Sequence, residues 1–153
     1  MPKFYRVMTE TDGEPTVGDG RDMLGVRPGE IKTNLEDGNK VRLNAGGLST
    51  NVCLCSLHPL IVPAHLRSAT SPETRGFFGK GATRLWRTGD GAFESAPINE
   101  ELLLNVKGKP GHAYVEPRQA VTLEEYQGFL ANTRNQWFID EQTNDQCPFC
   151  SQP

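Results

Sequence analysis

The chain has no long apolar stretch. No segment approaches the roughly 18 consecutive apolar residues that a membrane helix requires, and the opening Met1-Pro2-Lys3-Phe4-Tyr5 contains no apolar core of signal-peptide length. We therefore expect a cytoplasmic site of action and no membrane partner. A protein that is injected folded into another cell also needs no signal peptide, so export by that route stays compatible with the sequence.

Positive charge is scarce as well. The 153 residues carry 16 Lys and Arg against 19 Asp and Glu, which gives a formal net charge of −3 at pH 7. No run of basic residues falls on one predicted face, so the electrostatic footprint of a general nucleic-acid-binding protein is missing. General nucleic-acid binding is therefore not expected.

Several common enzyme motifs are missing from the sequence. There is no G-x-x-x-x-G-K-[ST] phosphate loop, no G-x-G-x-x-G that precedes a helix, and no G-x-S-x-G nucleophile elbow. These absences argue against a P-loop nucleotidase, a Rossmann-type dehydrogenase and an α/β-hydrolase.

Glycine and proline are plentiful, and they predict many short elements. The chain has 16 Gly and 11 Pro in 153 residues, a length that suits one domain with a real core. Apolar runs bounded by turn residues predict strands over residues 4–8, 40–43, 48–56, 85–87, 102–107 and 112–116. The expected fold is α+β, with one domain over residues 1–142 and a cysteine-containing tail over 143–153.

The clearest predicted element is an amphipathic helix near the C-terminus, over about residues 123–139. Thr122 is suited to cap it, and Glu125 three residues later completes a capping box. Aromatic and apolar side chains at helical spacing, including Tyr126, Leu130 and Trp137, predict that one face docks on the body of the domain.

Four cysteines form two close pairs, Cys53 with Cys55 and Cys147 with Cys150. In a reducing compartment the C-x-C and C-x-x-C pairs can meet as four thiolates around one zinc ion. Two other readings stay open. The tail pair can be free or redox-active, and all four can be structural thiols, since Cys53 and Cys55 would share one face of a strand.

A candidate ligand site combines an arginine on the first strand with hydroxyls on a later one. Arg6 lies between aromatic and apolar neighbours, and its planar guanidinium suits a diphosphate or a carboxylate. Ser49 and Thr50 begin a strand after Gly46-Gly47, where glycine permits positive φ or close backbone approach. Successive strand residues face opposite sides, so only one of the two hydroxyls can face a cleft. The alternative is an arginine in solvent beside ordinary strand residues.

A second set of polar residues falls on one predicted strand. The segment His112-Ala-Tyr-Val-Glu116 places His112, Tyr114 and Glu116 on a common face. A histidine and a carboxylate there can serve a nucleotide cleft, the carboxylate by binding a ribose hydroxyl or stabilising an oxocarbenium-like transition state. The alternative is a solvated face of an edge strand.

Taken in order, these blocks resemble the ADP-ribosyltransferase-fold cytotoxic effectors of the type VI secretion class and their relatives. The matching stretches are Phe4-Tyr-Arg-Val7, Gly46-Gly-Leu-Ser-Thr50, and His112-Ala-Tyr-Val-Glu-Pro117 followed by the predicted helix. The resemblance implies two small packed antiparallel sheets, a few helices and a C-terminal amphipathic helix. It also implies NAD as a substrate in the cleft between the sheets.

The resemblance further implies roles for individual residues. Arg6 would hold the dinucleotide, Ser49 or Thr50 would support the nicotinamide ribose, and His112 or Glu116 would complete the site. Apart from the resemblance, the residue types of the predicted strand favour Tyr114 as a further cofactor-binding residue and His112 and Glu116 as catalytic residues. The implied reaction is ADP-ribosyl transfer to a macromolecular target or NAD hydrolysis, and the implied partner is a cognate immunity protein or antitoxin. The E-x-E or Q-x-E motif of many such transferases is missing from the predicted strands. Two other functions stay open: a non-catalytic zinc-clipped binding module, and an inhibitor or immunity-type partner protein.

Overall fold

The structure is a computed structural model that describes residues 1–27, 31, 40–53, 56–57, 61–63, 65–66 and 83–141. The predicted tail at 143–153 lies outside these residues, as do Cys55, Cys147 and Cys150 of the predicted zinc site. No helix within the described ranges is long and apolar enough to cross a membrane.

The described residues form ten strands and one α-helix. The strands are β1 (Phe4–Thr11), β2 (Glu14–Pro15), β3 (Lys40–Val41), β4 (Leu48–Asn51), β5 (Thr83–Thr88), β6 (Ala96–Pro97), β7 (Leu102–Val106), β8 (His112–Pro117), β9 (Val121–Thr122) and β10 (Phe138–Ile139). The helix α1 spans Leu123–Ala131. All of these strands pair antiparallel. The α+β class predicted from the sequence is confirmed.

The main sheet has two halves that meet at a single residue pair. Its eight strands run in the order β10-β5-β1-β4-β8-β7-β6, with β2 paired to the end of β1, while β3 and β9 form a separate two-stranded sheet. β1 pairs with β5 over six residues, and β4 pairs with β8 over four. Between β1 and β4, by contrast, the recorded pair is Tyr5 with Asn51. The sheet is therefore weakly joined at its centre, and a pocket lies there.

Apolar side chains pack on both faces of the sheet. One face carries the larger cluster, into which α1 packs Tyr126 and Leu130; its other buried members are Phe4, Met8, Leu24, Val26, Ile31, Val41, Leu48, Trp86, Leu102, Leu104, Ala113, Val115 and Trp137. The opposite face carries a smaller cluster made of Tyr5, Val7, Leu57, Val62 and Leu85. This division follows the strand period of two, since Phe4 and Met8 point one way and Tyr5 and Val7 the other.

Helix α1 starts where the sequence predicts and ends earlier. The Thr122 side chain accepts from the Glu125 N–H, and the Glu125 carboxylate accepts from the Thr122 N–H, which confirms the capping box. The predicted end near residue 139 is wrong, because the helix stops at Ala131. The Thr133 hydroxyl donates to the Leu130 carbonyl at 2.7 Å and accepts from the Trp137 indole N–H at 3.1 Å, which turns the chain back toward the sheet.

The strand predicted over residues 48–56 is also too long, since β4 ends at Asn51. The Ser56 N–H and hydroxyl both donate to the Cys53 carbonyl, at 3.3 and 2.9 Å, and these bonds close a turn. The remaining predicted strands at 4–8, 40–43, 85–87, 102–107 and 112–116 correspond to β1, β3, β5, β7 and β8.

Candidate functional site

A pocket of about 270 Å³ lies where β1 and β4 separate, between their side chains and the segment of residues 16–27. We call that segment the arginine loop. Arg6 and Val7 line the pocket from β1, and Leu48, Ser49 and Asn51 line it from β4. Its volume is near the lower end of small-molecule sites, which begin at about 300 Å³.

Arg6 holds the arginine loop to the sheet. Its guanidinium donates to the Ser49 carbonyl at 2.8 Å, to the Arg21 carbonyl at 3.0 Å and to the Met23 carbonyl at 3.0 and 3.3 Å. The guanidinium therefore donates four hydrogen bonds to backbone carbonyl oxygens. The bond to Ser49 joins β1 to β4 just beyond the Tyr5–Asn51 pair, so Arg6 bridges the split in the sheet at the floor of the pocket.

Ser49 and His112 form a hydrogen-bonded pair on adjacent strands. The Ser49 Oγ lies 2.7 Å from the His112 Nε2, and the His112 Nδ1 lies 3.1 Å from the Lys107 carbonyl oxygen. A carbonyl can only accept, so Nδ1 carries the proton and Nε2 accepts from the Ser49 hydroxyl. The lone pairs of Ser49 Oγ are then left to accept from another donor.

Thr50 points to the other side of β4. It is fully buried, and its hydroxyl donates to the Ala113 carbonyl at 3.1 Å. Of the two candidate hydroxyls, Ser49 is therefore the one that lines the pocket, while Thr50 ties β4 to β8 in the core. Strand alternation predicts that only one of these two residues faces the cleft.

The glycine pair before β4 is required by close packing. Gly46 has φ +94°, which is the left-handed region, and a Cβ on Gly47 would lie 2.4 Å from the Val115 carbonyl oxygen and 2.9 Å from the Tyr126 hydroxyl. That hydroxyl donates to the Val115 carbonyl and accepts from the Leu48 N–H at 3.0 Å. Burial raises the pKa of Tyr126 and keeps the phenol protonated, so this link behind the pocket persists at ordinary pH.

Tyr114 lies beside the serine–histidine pair. Neither Tyr114, His112 nor Glu116 lines the pocket, which includes only Ser49 of that pair. Its ring meets the His112 ring edge-on, with centroids 4.7 Å apart and an interplanar angle of 81°. The Lys107 ammonium lies 5.4 Å from the centre of the Tyr114 ring. Tyr114 therefore contacts the residue whose backbone carbonyl orients His112, and it braces the imidazole from the side.

Glu116 is fully buried beneath the same face of β8. Its carboxylate accepts from the Asn44 N–H at 2.7 Å and from the Asn105 amide at 2.8 Å, and it lies 3.5 Å from the Lys107 ammonium. Asn44 has φ +64°, and its bond to the carboxylate stabilises that left-handed turn ahead of the glycine pair. Alternation along β8 gives His112, Tyr114 and Glu116 a common face, as the sequence predicts, and it places Glu116 deepest.

The arginine loop supplies two further side chains that the sequence analysis did not single out. Arg21 and Arg27 both line the pocket, together with the acidic Asp22. Both residues are exposed. Loop arginines follow no strand or helix period, and the signal that could have found them is their charge, with two arginines in a twelve-residue segment close to the first strand.

Of the four candidate zinc ligands, Cys53 is the one that lies among the described residues, and it is buried, with 3% of its surface exposed. Within the ranges that the structure describes, no group of three or more His, Cys, Asp or Glu side chains is arranged to hold a metal ion. The proposal of a four-cysteine site depends on three residues outside those ranges.

Comparison of the chain with protein-family models, with curated proteins and with solved structures found no match.

Proposed function

We propose that the protein is a cytotoxic effector that binds NAD in the pocket between β1 and β4 and breaks its nicotinamide–ribose bond. The observation that carries the proposal is the joining of Arg6 and Ser49 at one pocket, which both residues line, with the guanidinium 2.8 Å from the Ser49 carbonyl. Arg6 and Ser49 lie in two separate segments whose sequences resemble those of ADP-ribosyltransferase effectors. The described strands form one eight-stranded sheet and a separate two-stranded sheet, not two small packed sheets of the kind that the resemblance implies; the proposal is supported by the split in the larger sheet, where the pocket lies.

The proposed chemistry uses Ser49 and His112 together. The bond between the ribose C1′ and the nicotinamide nitrogen breaks with its electron pair leaving on nicotinamide, and positive charge develops on the ribose. Water or a target nucleophile then bonds to C1′ and releases a proton. Because the Ser49 hydroxyl donates its hydrogen bond to His112 Nε2, the Ser49 oxygen is oriented as a hydrogen-bond acceptor before substrate binds. Such an acceptor suits a ribose hydroxyl, whose acidity rises as the ribose ring becomes cationic.

The role of the buried carboxylate follows from its contacts. Glu116 holds the Asn44 turn and the Lys107 side chain, and Lys107 in turn orients His112 through its carbonyl. In the proposed site Glu116 thus acts on the reacting groups through the residues it positions. An immunity protein that covers the pocket mouth is the expected partner of such an effector.

The experiment is expression from a tightly repressed promoter in a bacterial host, followed by assay of the purified protein for nicotinamide release from NAD. The Ser49→Ala variant removes the hydroxyl in the pocket. Ser95→Ala is the matched control, since Ser95 is exposed and its hydroxyl contacts the Val106 N–H on β7. We expect growth arrest and nicotinamide release from the wild type and from the control, and neither from Ser49→Ala, with all three proteins compared at a temperature at which circular dichroism shows each of them folded.

The cellular NAD pool separates the two reactions. A falling pool assigns NAD hydrolysis, and a steady pool with labelled ADP-ribose on a macromolecule assigns transfer. Normal growth of the wild-type strain, together with no nicotinamide release at micromolar protein, would overturn the proposal.

A further inference from the structure

We infer that Arg21 and Arg27 form the anion-binding wall of the pocket and take the diphosphate of a dinucleotide, and that Arg6 is a positioning residue for that wall. The choice of ligand rests on the proposed function, whereas the anion site itself rests on the geometry of the arginine loop. The inference departs from the expectation that Arg6 holds the dinucleotide directly.

Arg6 is committed to the backbone. Its Nε, Nη1 and Nη2 atoms all donate to carbonyl oxygens, at distances between 2.8 and 3.3 Å, and the acceptors belong to Arg21, Met23 and Ser49. A diphosphate could recruit these donors only by releasing the carbonyls, which are partly buried and would lose their partners. The free energy of such an exchange disfavours Arg6 as the main phosphate ligand.

Hydrogen bonds hold the arginine loop just after Arg21 and just before Arg27. On one side, the Thr9 N–H donates to the Asp22 carbonyl at 2.8 Å, next to the carbonyls that Arg6 binds. On the other side, the Val26 N–H donates to the Gln127 side chain at 3.0 Å, and the Gln127 amide donates back to the Val26 carbonyl at 2.6 Å. The loop backbone is thus fixed to β1 and to α1 before any ligand binds.

Packing reinforces these anchors. Leu24 and Val26 are each 1% exposed, and a Cβ on Gly25 would lie 1.9 Å from the Gly18 carbonyl oxygen. The chain between the arginines is therefore buried and tightly folded on itself. A ligand that binds Arg21 and Arg27 would spend little free energy on ordering the loop, which is the physical basis of pre-organised affinity.

The charge balance of the pocket favours an anion. Among the described residues of its lining are three arginines, at positions 6, 21 and 27, and one acid, Asp22, which gives those residues a formal excess of two positive charges. A diphosphate carries about that charge with opposite sign, and guanidinium groups bind phosphate oxygens through paired N–H donors. Ser49 lines the same pocket from β4, so a ligand whose phosphates bind Arg21 and Arg27 would occupy a cavity that Ser49 also borders.

The test measures binding by calorimetry with inorganic pyrophosphate and with ADP-ribose, using the full chain. The variants are Arg21→Gln and Arg27→Gln, and the control is Arg118→Gln, an exposed arginine whose guanidinium contacts the Asn99 carbonyl away from the pocket. Each loop variant should weaken both probes about tenfold or more, because a charge-assisted pair is lost. The control should bind like the wild type, whose affinity should fall more steeply with added salt than that of either loop variant.

Arg6→Lys distinguishes positioning from direct contact. It keeps the positive charge but loses the fork that binds several carbonyls, so it should lower the unfolding temperature and weaken both probes together. Arg21→Gln should weaken the probes with the unfolding temperature unchanged. Wild-type affinity retained in both loop variants, or no binding of either probe by the wild type, would overturn the inference. Binding through Arg21 and Arg27 without any cleavage of NAD would uphold the anion site and overturn the proposed function.

Discussion

The Ser49 hydroxyl donates to His112 Nε2 across neighbouring strands at 2.7 Å, while Nδ1 of the same ring is held by the Lys107 carbonyl at 3.1 Å. The two residues are diagonal neighbours, because Asn51 lies opposite His112 and Ser49 lies opposite Tyr114 in the β4–β8 register. Both partners are half-buried. Their bond is thus partly shielded from water and contributes to the stability of the sheet as well as to the orientation of the site.

A double-mutant cycle on this pair should reveal coupling. Ser49→Ala and His112→Phe should each lower the free energy of unfolding by about 0.5–1.5 kcal/mol, since each leaves a polar partner unsatisfied. The double variant should cost less than the sum of the single changes by about 0.5–1 kcal/mol. Urea unfolding followed by tryptophan fluorescence measures all four proteins, and strict additivity would show that the bond contributes nothing.

Replacing Gly47 with alanine should destabilise the fold, and the same change at Gly128 should stabilise it. A Cβ at position 47 would lie 2.4 Å from the Val115 carbonyl oxygen, so β8 or the turn must move, at a cost of roughly 2 kcal/mol. At position 128, within α1, a Cβ meets nothing within 4 Å, and alanine should add about 0.5–1 kcal/mol. Thermal unfolding of the two variants should shift in opposite directions. Shifts of the same sign would contradict the close approach of Gly47 to β8.

Glu116→Gln should weaken the fold because the buried carboxylate accepts from the backbone of Asn44 and the side chain of Asn105. An amide in its place turns one acceptor into a donor that faces other donors, and we expect a loss of about 1–3 kcal/mol. Glu100→Gln is the matched control, since Glu100 is exposed. Equal urea midpoints for the two variants would show that the Glu116 contacts add no stability.

Glu141 should make stability depend on acid pH. Burial raises the pKa of this carboxyl, but hydrogen bonds from Arg84, His65 and the Leu85 N–H outweigh burial and leave the pKa below its usual value. A carboxylate whose pKa is lowered by folding contributes stability that is present above the unfolded pKa of about 4.3 and is lost as pH falls through the folded pKa. The gap in unfolding temperature between wild type and Glu141→Gln should therefore be full at pH 7 and should close below pH 4. A gap that is constant from pH 7 to pH 3 would contradict the assignment.

The sequence predicts the elements that carry strong local signals. Capping residues identify the start of α1 at Thr122, and alternation identifies β8 and the shared face of His112, Tyr114 and Glu116. The end of α1 could not be predicted because Trp137 keeps helical spacing with Tyr126 and Leu130, although it reaches the core by another route. Its ring packs edge-on against Phe4, with centroids 5.3 Å apart, after a 3-10 turn at Arg134–Gln136.

The sequence predicts the residues of the candidate site but not the hydrogen bonds that join them. Ser49 and His112 were each selected from local pattern, but the bond between them depends on the register of β4 against β8. Arg6 was selected for its guanidinium, whose actual partners are carbonyls of the arginine loop, about 15 and 17 residues away, and of Ser49. Two-residue strands such as β6 and β10 are too short for any period to show. The pocket therefore depends on tertiary contacts that no local sequence pattern shows.

The first strand is completed by the last described residues of the chain. Phe4 packs against Trp137, and the Tyr5 hydroxyl donates to the Asp140 carboxylate at 3.3 Å. A ribosome adds residues from the N-terminus onward, so the contacts of Phe4 with Trp137 and of Tyr5 with Asp140 form after β2, β4 and β5 have been made. The same strand carries Arg6. The described residues that line the pocket fall between Arg6 and Ile61, so a chain truncated before Trp137 would still contain them and would lose the packing on Phe4 and Tyr5.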